Sequence, residues 1–280
     1  MSARRTWRAL GALLLATTAL TTVPAPDATA APGDTEVSGT LPSGLTMWSP
    51  DQSPYVLTGD LVVPPDGDLY IAPGTTVTST GDHQLVVNGG LQTSAMTFDL
   101  PGGIVIDSSA PAGPGGAQAF FQITTITGAT GTAVEVIDGD VGWYFTSISD
   151  SATAIEAGPG AGVLDFAHGE IVDVGTVADV AGSITIRTTG LAGFTRGVRA
   201  SVARLWYDVA AIPAGPCQAD GTGCVLATTS TTTASDIEGT WFGTADLPAV
   251  QASIWDGADD AALVAVEGTP AATGFEADLP

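Results

Sequence analysis

Carboxylates carry most of the chemistry open to this chain, and three of them recur at nearly one interval. Glu135, Glu156 and Asp179 are offset by 21 and 23 residues. If those offsets are single turns of a stacked sheet, the three side chains stand about 4.8 Å apart on neighbouring strands. That is close to the ~5–5.5 Å that separates the acid and nucleophile of a retaining glycosidase. Any acidic column on a stacked sheet has the same spacing, so the pattern equally describes a solvated polar face or a weak cation site. A second acidic group, Asp256-Gly257-Ala258-Asp259-Asp260, reads as a turn. Asp256, Asp259 and Asp260 are its candidate calcium ligands, although it lacks the alternating oxygens and closing glutamate of an EF-hand. Cys217 and Cys224 enclose six residues and are expected to form a disulfide if the chain is exported.

Other reactive groups are scarce. The only histidines are His83 and His168, and neither lies in a recognisable nucleophile elbow. Ala167-His168-Gly169-Glu170 reads as a turn. Lysine is absent throughout. Arg187, Arg196, Arg199 and Arg204 are the only basic residues beyond the N-terminal segment, and Asp165, one repeat before Arg187, is its expected partner. Trp143, Trp206, Trp241 and Trp255 would stack on sugars if they stood in an exposed row, and otherwise belong to the core or cap an end.

The elements that must position these residues are short strands. Leu61, Leu69, Val77 and Leu85 follow one another at intervals of eight, each in a short apolar run broken by Pro, Gly or Asp. Three such steps make a cycle of 24 residues, the signature of a solenoid coil with three faces. Gly131-Thr132-Ala133-Val134-Glu135-Val136 is echoed by Ala152-Thr153-Ala154-Ile155-Glu156-Ala157 and by Gly175-Thr176-Val177-Ala178-Asp179-Val180. Period two places Val134, Ile155 and Ala178 inward and the three acids outward. A second series runs from Phe145 to Ile148, Phe166 to Ile171 and Ile186 to Leu191. The predicted fold is all-β, a single parallel β-helix of roughly nine coils spanning 48–265, after a signal peptide at 1–30 and a flexible leader at 31–47. A C-terminal tail occupies 266–280.

The chain resembles the secreted bacterial right-handed parallel β-helix repeat proteins, whose architecture is that of the pectate lyases. The resemblance is carried by Ser53-Pro54-Tyr55-Val56 with Thr58-Gly59-Asp60-Leu61-Val62-Val63, by Leu69-Tyr70-Ile71-Ala72-Pro73-Gly74-Thr75-Thr76-Val77, and by Asn88-Gly89-Gly90-Leu91. Gly239-Thr240-Trp241-Phe242-Gly243 and Ile254-Trp255-Asp256-Gly257-Ala258-Asp259-Asp260 are similar to the closing segment of such proteins. Here Phe242 stands where a second tryptophan is usual, the preceding asparagine is missing, and no asparagine ladder is present. The resemblance implies a right-handed coil. It implies no activity, because the fold serves lyases, hydrolases, adhesins and proteins with no catalysis. A uronate lyase needs a basic residue to remove a proton, and only four arginines and no lysine are available for it; Arg187, Arg199 and Arg204 could cluster on successive coils, where arginines more often pair with neighbouring acids. Most of the galacturonan-hydrolase signatures are missing.

Arg4, Arg5 and Arg8 precede an apolar run from Ala9 to Leu20, and Ala28-Thr29-Ala30 offers a cleavage site. The protein is therefore expected to be secreted and extracellular. Loss of Arg4, Arg5, Arg8 and Asp27 takes the net charge from −23 to −25. Such a surface repels nucleic acid and anionic membrane and favours cations, calcium in particular. The reading from sequence is a monomeric, non-catalytic protein that contacts a neutral polysaccharide or a cell-surface component. The alternative is a polysaccharide-active enzyme, a glycoside hydrolase with paired carboxylates ahead of a lyase. Calcium is the one cofactor the sequence suggests.

Overall fold

The computed structural model describes residues 33–108 and 117–271. Residues 1–32, 109–116 and 272–280 lie outside them, so the signal peptide expected at 1–30 falls outside the described residues. The strands join in one sheet, and every pairing between named strands is parallel. This is the geometry of a β-solenoid. The chain makes about eight turns, against the nine that the repeat spacing suggests, because coil length varies. Leu61 to Leu85 takes 24 residues, Ile104 to Val134 takes 30 and Val198 to Leu226 takes 28.

Each coil crosses three flat faces. On the first, Leu61, Leu85, Ile104, Val134, Ile155, Ala178, Val198, Leu226 and Ile254 stack inward, and all are buried. The 24-residue cycle is thus one coil: Leu69 lies on the second face and Val77 on the third. The third face stacks Tyr55, Val77, Phe98, Ile126, Ile148 and Ile171 inward. No coil can bury its apolar row alone; stacking supplies the partner surface. Each inward Val, Leu, Ile or Phe contributes roughly 1.5–3 kcal/mol by leaving water.

The second face stacks Leu69, Leu91, Ala119, Val141 and Leu164, with a parallel inner row Ile71, Thr93, Phe121, Trp143, Phe166, Ile186 and Leu205. Phe121 and Trp143 lie with centroids 6.1 Å apart, and Trp143 and Phe166 5.9 Å apart. Trp143, not Phe145, is therefore the rung neighbour of Phe166. The chain bends between the second and third faces, and Phe145 occupies that bend.

Residues at this bend adopt left-handed backbone: Ala95, Ile123, Phe145, His168 and Thr188, with φ between 46° and 55°. L-residues resist that region, β-branched ones most. Buried threonines tie the bend down. Thr124 donates to the Gln122 carbonyl at 3.1 Å, Thr146 to the Phe121 carbonyl at 3.3 Å, and Thr189 to the Arg187 carbonyl at 3.0 Å. Thr93 and Thr124 share a hydrogen bond of 2.7 Å. A threonine set does here what an asparagine ladder would do.

The ends differ from the sequence reading. Residues 31–47 were expected to lie outside the helix, but Thr35–Thr40 and Gly44–Trp48 are strands that pair with Tyr55–Val63 and Gly67–Ile71. Their small polar residues obscure them, since a terminal coil has only one neighbour and needs few apolar side chains. Trp48 stacks on Tyr55 with centroids 4.3 Å apart. At the other end the coil continues past 265: Glu267 bridges Asp236, and the Ala271 N–H reaches the Thr240 carbonyl. A short helix, Leu247–Gln251, buries Val250 against this end.

Candidate functional site

The outward rows of the first and second faces hold the reactive side chains. On the first face the row reads Val62, Val86, Val105, Glu135, Glu156, Asp179, Arg199, Ala227 and Trp255. The predicted register is correct: Glu135, Glu156 and Asp179 are rung neighbours. They line a shallow groove with Ile137, Pro159 and Arg199. Two of the acids already have protein partners. Thr132 donates to Glu156 at 2.9 Å, and Arg199 Nη1 donates to Asp179 at 2.9 Å. Arg199 Nε is buried without a partner among the described residues.

On the second face the outward row reads Met47, Tyr70, Gln92, Phe120, Gly142, Asp165, Thr185 and Arg204. A groove of about 850 Å³ runs over it, lined by Leu45, Tyr70, Gln92, Gln118, Phe120 and Val163 among others. Leu45 is 67 % exposed, Val163 66 % and Phe120 41 %. Glycines make its floor. A Cβ at Gly142 would stand 3.2 Å from Phe120 Cδ2, so the phenyl ring lies over the bare backbone of the next coil. A Cβ at Gly90 would meet the Asp68 carboxylate. Gln92 and Gln118 are exposed, and neither amide has a hydrogen-bond partner among the described residues.

The acids around this groove are mostly held by the protein. Asp140 Oδ1 accepts the Val163 N–H at 2.6 Å. Asp165 takes both the Nε of Arg187, at 3.1 Å, and its Nη2, the two-pronged pair that the repeat spacing anticipates. This hydrogen bonding holds Arg187 above its ordinary pKa.

In the closing acidic turn the carboxylates meet backbone N–H groups. Asp256 is 3 % exposed. Its Oδ1 accepts the Ala258 N–H and its Oδ2 the Val266 N–H, both at 2.8 Å, while its carbonyl takes the N–H groups of Asp259 and Asp260. Asp260 Oδ1 accepts the Ala262 N–H at 3.0 Å. These oxygens close the turn on itself. Among the described residues no group of three or more His, Cys, Asp or Glu side chains is placed to hold a metal ion.

Cys217 and Cys224 are bonded. Their loop lies against Arg196, whose Nη2 meets Asp220 at 3.1 Å and whose Nε donates to Thr222 at 3.0 Å. The Thr222 N–H and hydroxyl, with Arg196, hold Asp220 below the usual carboxylate range. The tryptophans do not form a row. Trp143 is buried, Trp206 is exposed on the second face, Trp255 is on the first, and Trp241 bridges Asp208 beside the third. His168 occupies the bend, stacked on Phe145 with centroids 5.2 Å apart. The sequence reading missed Tyr70 and Phe120. The exposed aromatic in an otherwise alternating run, Ala119-Phe120-Phe121, was the available signal.

No protein-family model, curated protein or solved structure matches the chain.

Proposed function

We propose that this is an exported, non-catalytic member of the parallel β-helix architecture that holds neutral carbohydrate in the groove of its second face. One observation carries the reading: Tyr70 and Phe120 line one outward row, with the unpartnered amide of Gln92 between them and glycine on the floor. Flat aromatic rings suit the apolar faces of sugar rings, and free amides suit their hydroxyls. Exposure of so much outward apolar area is otherwise unexplained, because isolated exposed side chains are normal but a lined strip of them marks an interaction surface. Leu45, Met47, Phe120, Ile123, Val163 and Trp206 are all exposed on this face or at its edge. Export is supported by the N-terminal arginines with their apolar run, and the bonded cysteine pair is compatible with it.

The test is retention of the mature protein by neutral polysaccharides in affinity electrophoresis, with reducing ends assayed in parallel. Retention without release of reducing ends is expected, and Phe120→Ala should weaken it about tenfold, or ~1.4 kcal/mol, without altering the thermal transition. No retention by any neutral glycan overturns the reading. Release of reducing ends replaces it with a hydrolase.

A further inference from the structure

We infer that the groove takes an extended, neutral β-1,4-linked hexose chain lying along the solenoid axis, with one sugar over each coil. The inference rests on the carbohydrate reading above and adds the ligand's linkage, direction and charge.

The register supplies the direction. Tyr70 pairs with Gln92, and Gln92 with Phe120, so the two rings stand on alternate coils of one row. Neighbouring coils are about 4.8 Å apart, so alternate coils are about 9.6 Å apart. An extended β-1,4-linked hexose chain advances by close to one coil spacing per sugar. It also turns each sugar over relative to the last, so it offers the same face at every second sugar. The row repeats in the same way: ring, amide, ring. A helical α-linked chain curves away from a flat face and cannot keep this phase.

The floor supplies the path. Phe120 leans over Gly142 on the following coil, and the Asp68 carboxylate lies over Gly90. Both side chains lie along the axis, not across it, and the trough between them runs from Leu45 to Val163. Charge supplies the class. Asp68, Asp140 and Asp165 line the groove, and among the described residues no basic one does. Arg187, which reaches Asp165, is paired with it. A uronate chain would meet only carboxylates, and a neutral chain avoids that repulsion.

The experiment titrates the mature chain with β-1,4-linked gluco-oligosaccharides of increasing length, with α-1,4-linked ones of the same lengths, and with oligogalacturonate. For the β-linked series the affinity should rise about tenfold, or ~1.4 kcal/mol, when the ligand grows long enough to reach both rings. Tyr70→Ala and Phe120→Ala should each abolish that rise while leaving the thermal transition in place, which separates lost contact from lost fold. Equal affinity for the α-linked series, or a rise that survives both substitutions, overturns the axial β-linked chain but leaves the carbohydrate reading standing. Preference for oligogalacturonate overturns the charge argument. No binding of any oligosaccharide overturns both.

Discussion

The outward rows of the first and second faces sit on the same scaffold, yet they are finished in opposite ways. On the first face the reactive groups answer one another. Glu156 is held by Thr132, Asp179 by Arg199, and the row of acids ends at a base. On the second face Tyr70, Gln92 and Phe120 stand in the outward row with no hydrogen bond among the described residues, and the Phe120 ring lies over Gly142. A row whose charged groups mostly meet partners within the protein serves stability. The row left open is the one we propose for a ligand. On that reading the openness of aromatics and amides, not the density of carboxylates, marks the site.

This contrast can be broken in three ways, of decreasing size. The largest effect tests the shared interior. Ile155→Asp places a charge in the sealed inner row and should cost about 4 kcal/mol or more in chemical denaturation. Its neighbour Glu156→Ser, facing outward, should cost well under about 1 kcal/mol. Equal losses would overturn the register of the first face. A middle effect tests whether the outward rows differ. Arg199→Ala removes the base that meets Asp179 and leaves three acids on successive coils. It should cost about 0.5–1 kcal/mol, more at low salt, because the pair is partly exposed and screened. Gln92→Ala on the second face should leave the denaturation midpoint unchanged. If Gln92→Ala destabilises as much as Arg199→Ala, the second row is structural too.

The smallest effect lies away from both rows and marks the baseline for a local charge. Asp220 is held below its ordinary pKa by Thr222 and Arg196. Its contribution is present above the unfolded carboxylate value and is lost as pH falls through the lowered folded one. The protection of amides in the Cys217–Cys224 loop, measured against their intrinsic exchange rates at each pH, should therefore fall in acid. Asp220→Asn should remove that acid response. An unchanged response would assign it to another group.

Sequence alone determined the parts that repetition enforces. The eight-residue steps from Leu61 to Leu85 and the stack of Val134, Ile155 and Ala178 follow from one constraint. An inward residue must meet its counterpart one coil away or leave apolar surface in water. That constraint weakens where a coil has one neighbour, so the first strands, Thr35–Thr40 and Gly44–Trp48, were hidden among small polar residues. It also fails at bends. The left-handed residue at Phe145 shifts the phase of the alternation, so Trp143 and not Phe145 stacks with Phe166.

Only the tertiary structure decided where the open groove lies. Tyr70 and Phe120 are fifty residues apart, and Gln92 stands 22 residues from Tyr70 but 28 from Phe120, so no fixed period links them. Outward residues face water in every coil and are under no pressure to repeat. Their neighbours are set by how many residues each coil happens to contain, and that length is fixed by the turns, not by the outward residues themselves. The acidic turn at Asp256 shows the same limit from the other side. Its composition suggests a cation, but its carboxylates meet backbone N–H groups, and that outcome depends on where Val266 and Ala258 come to rest once the last coil closes.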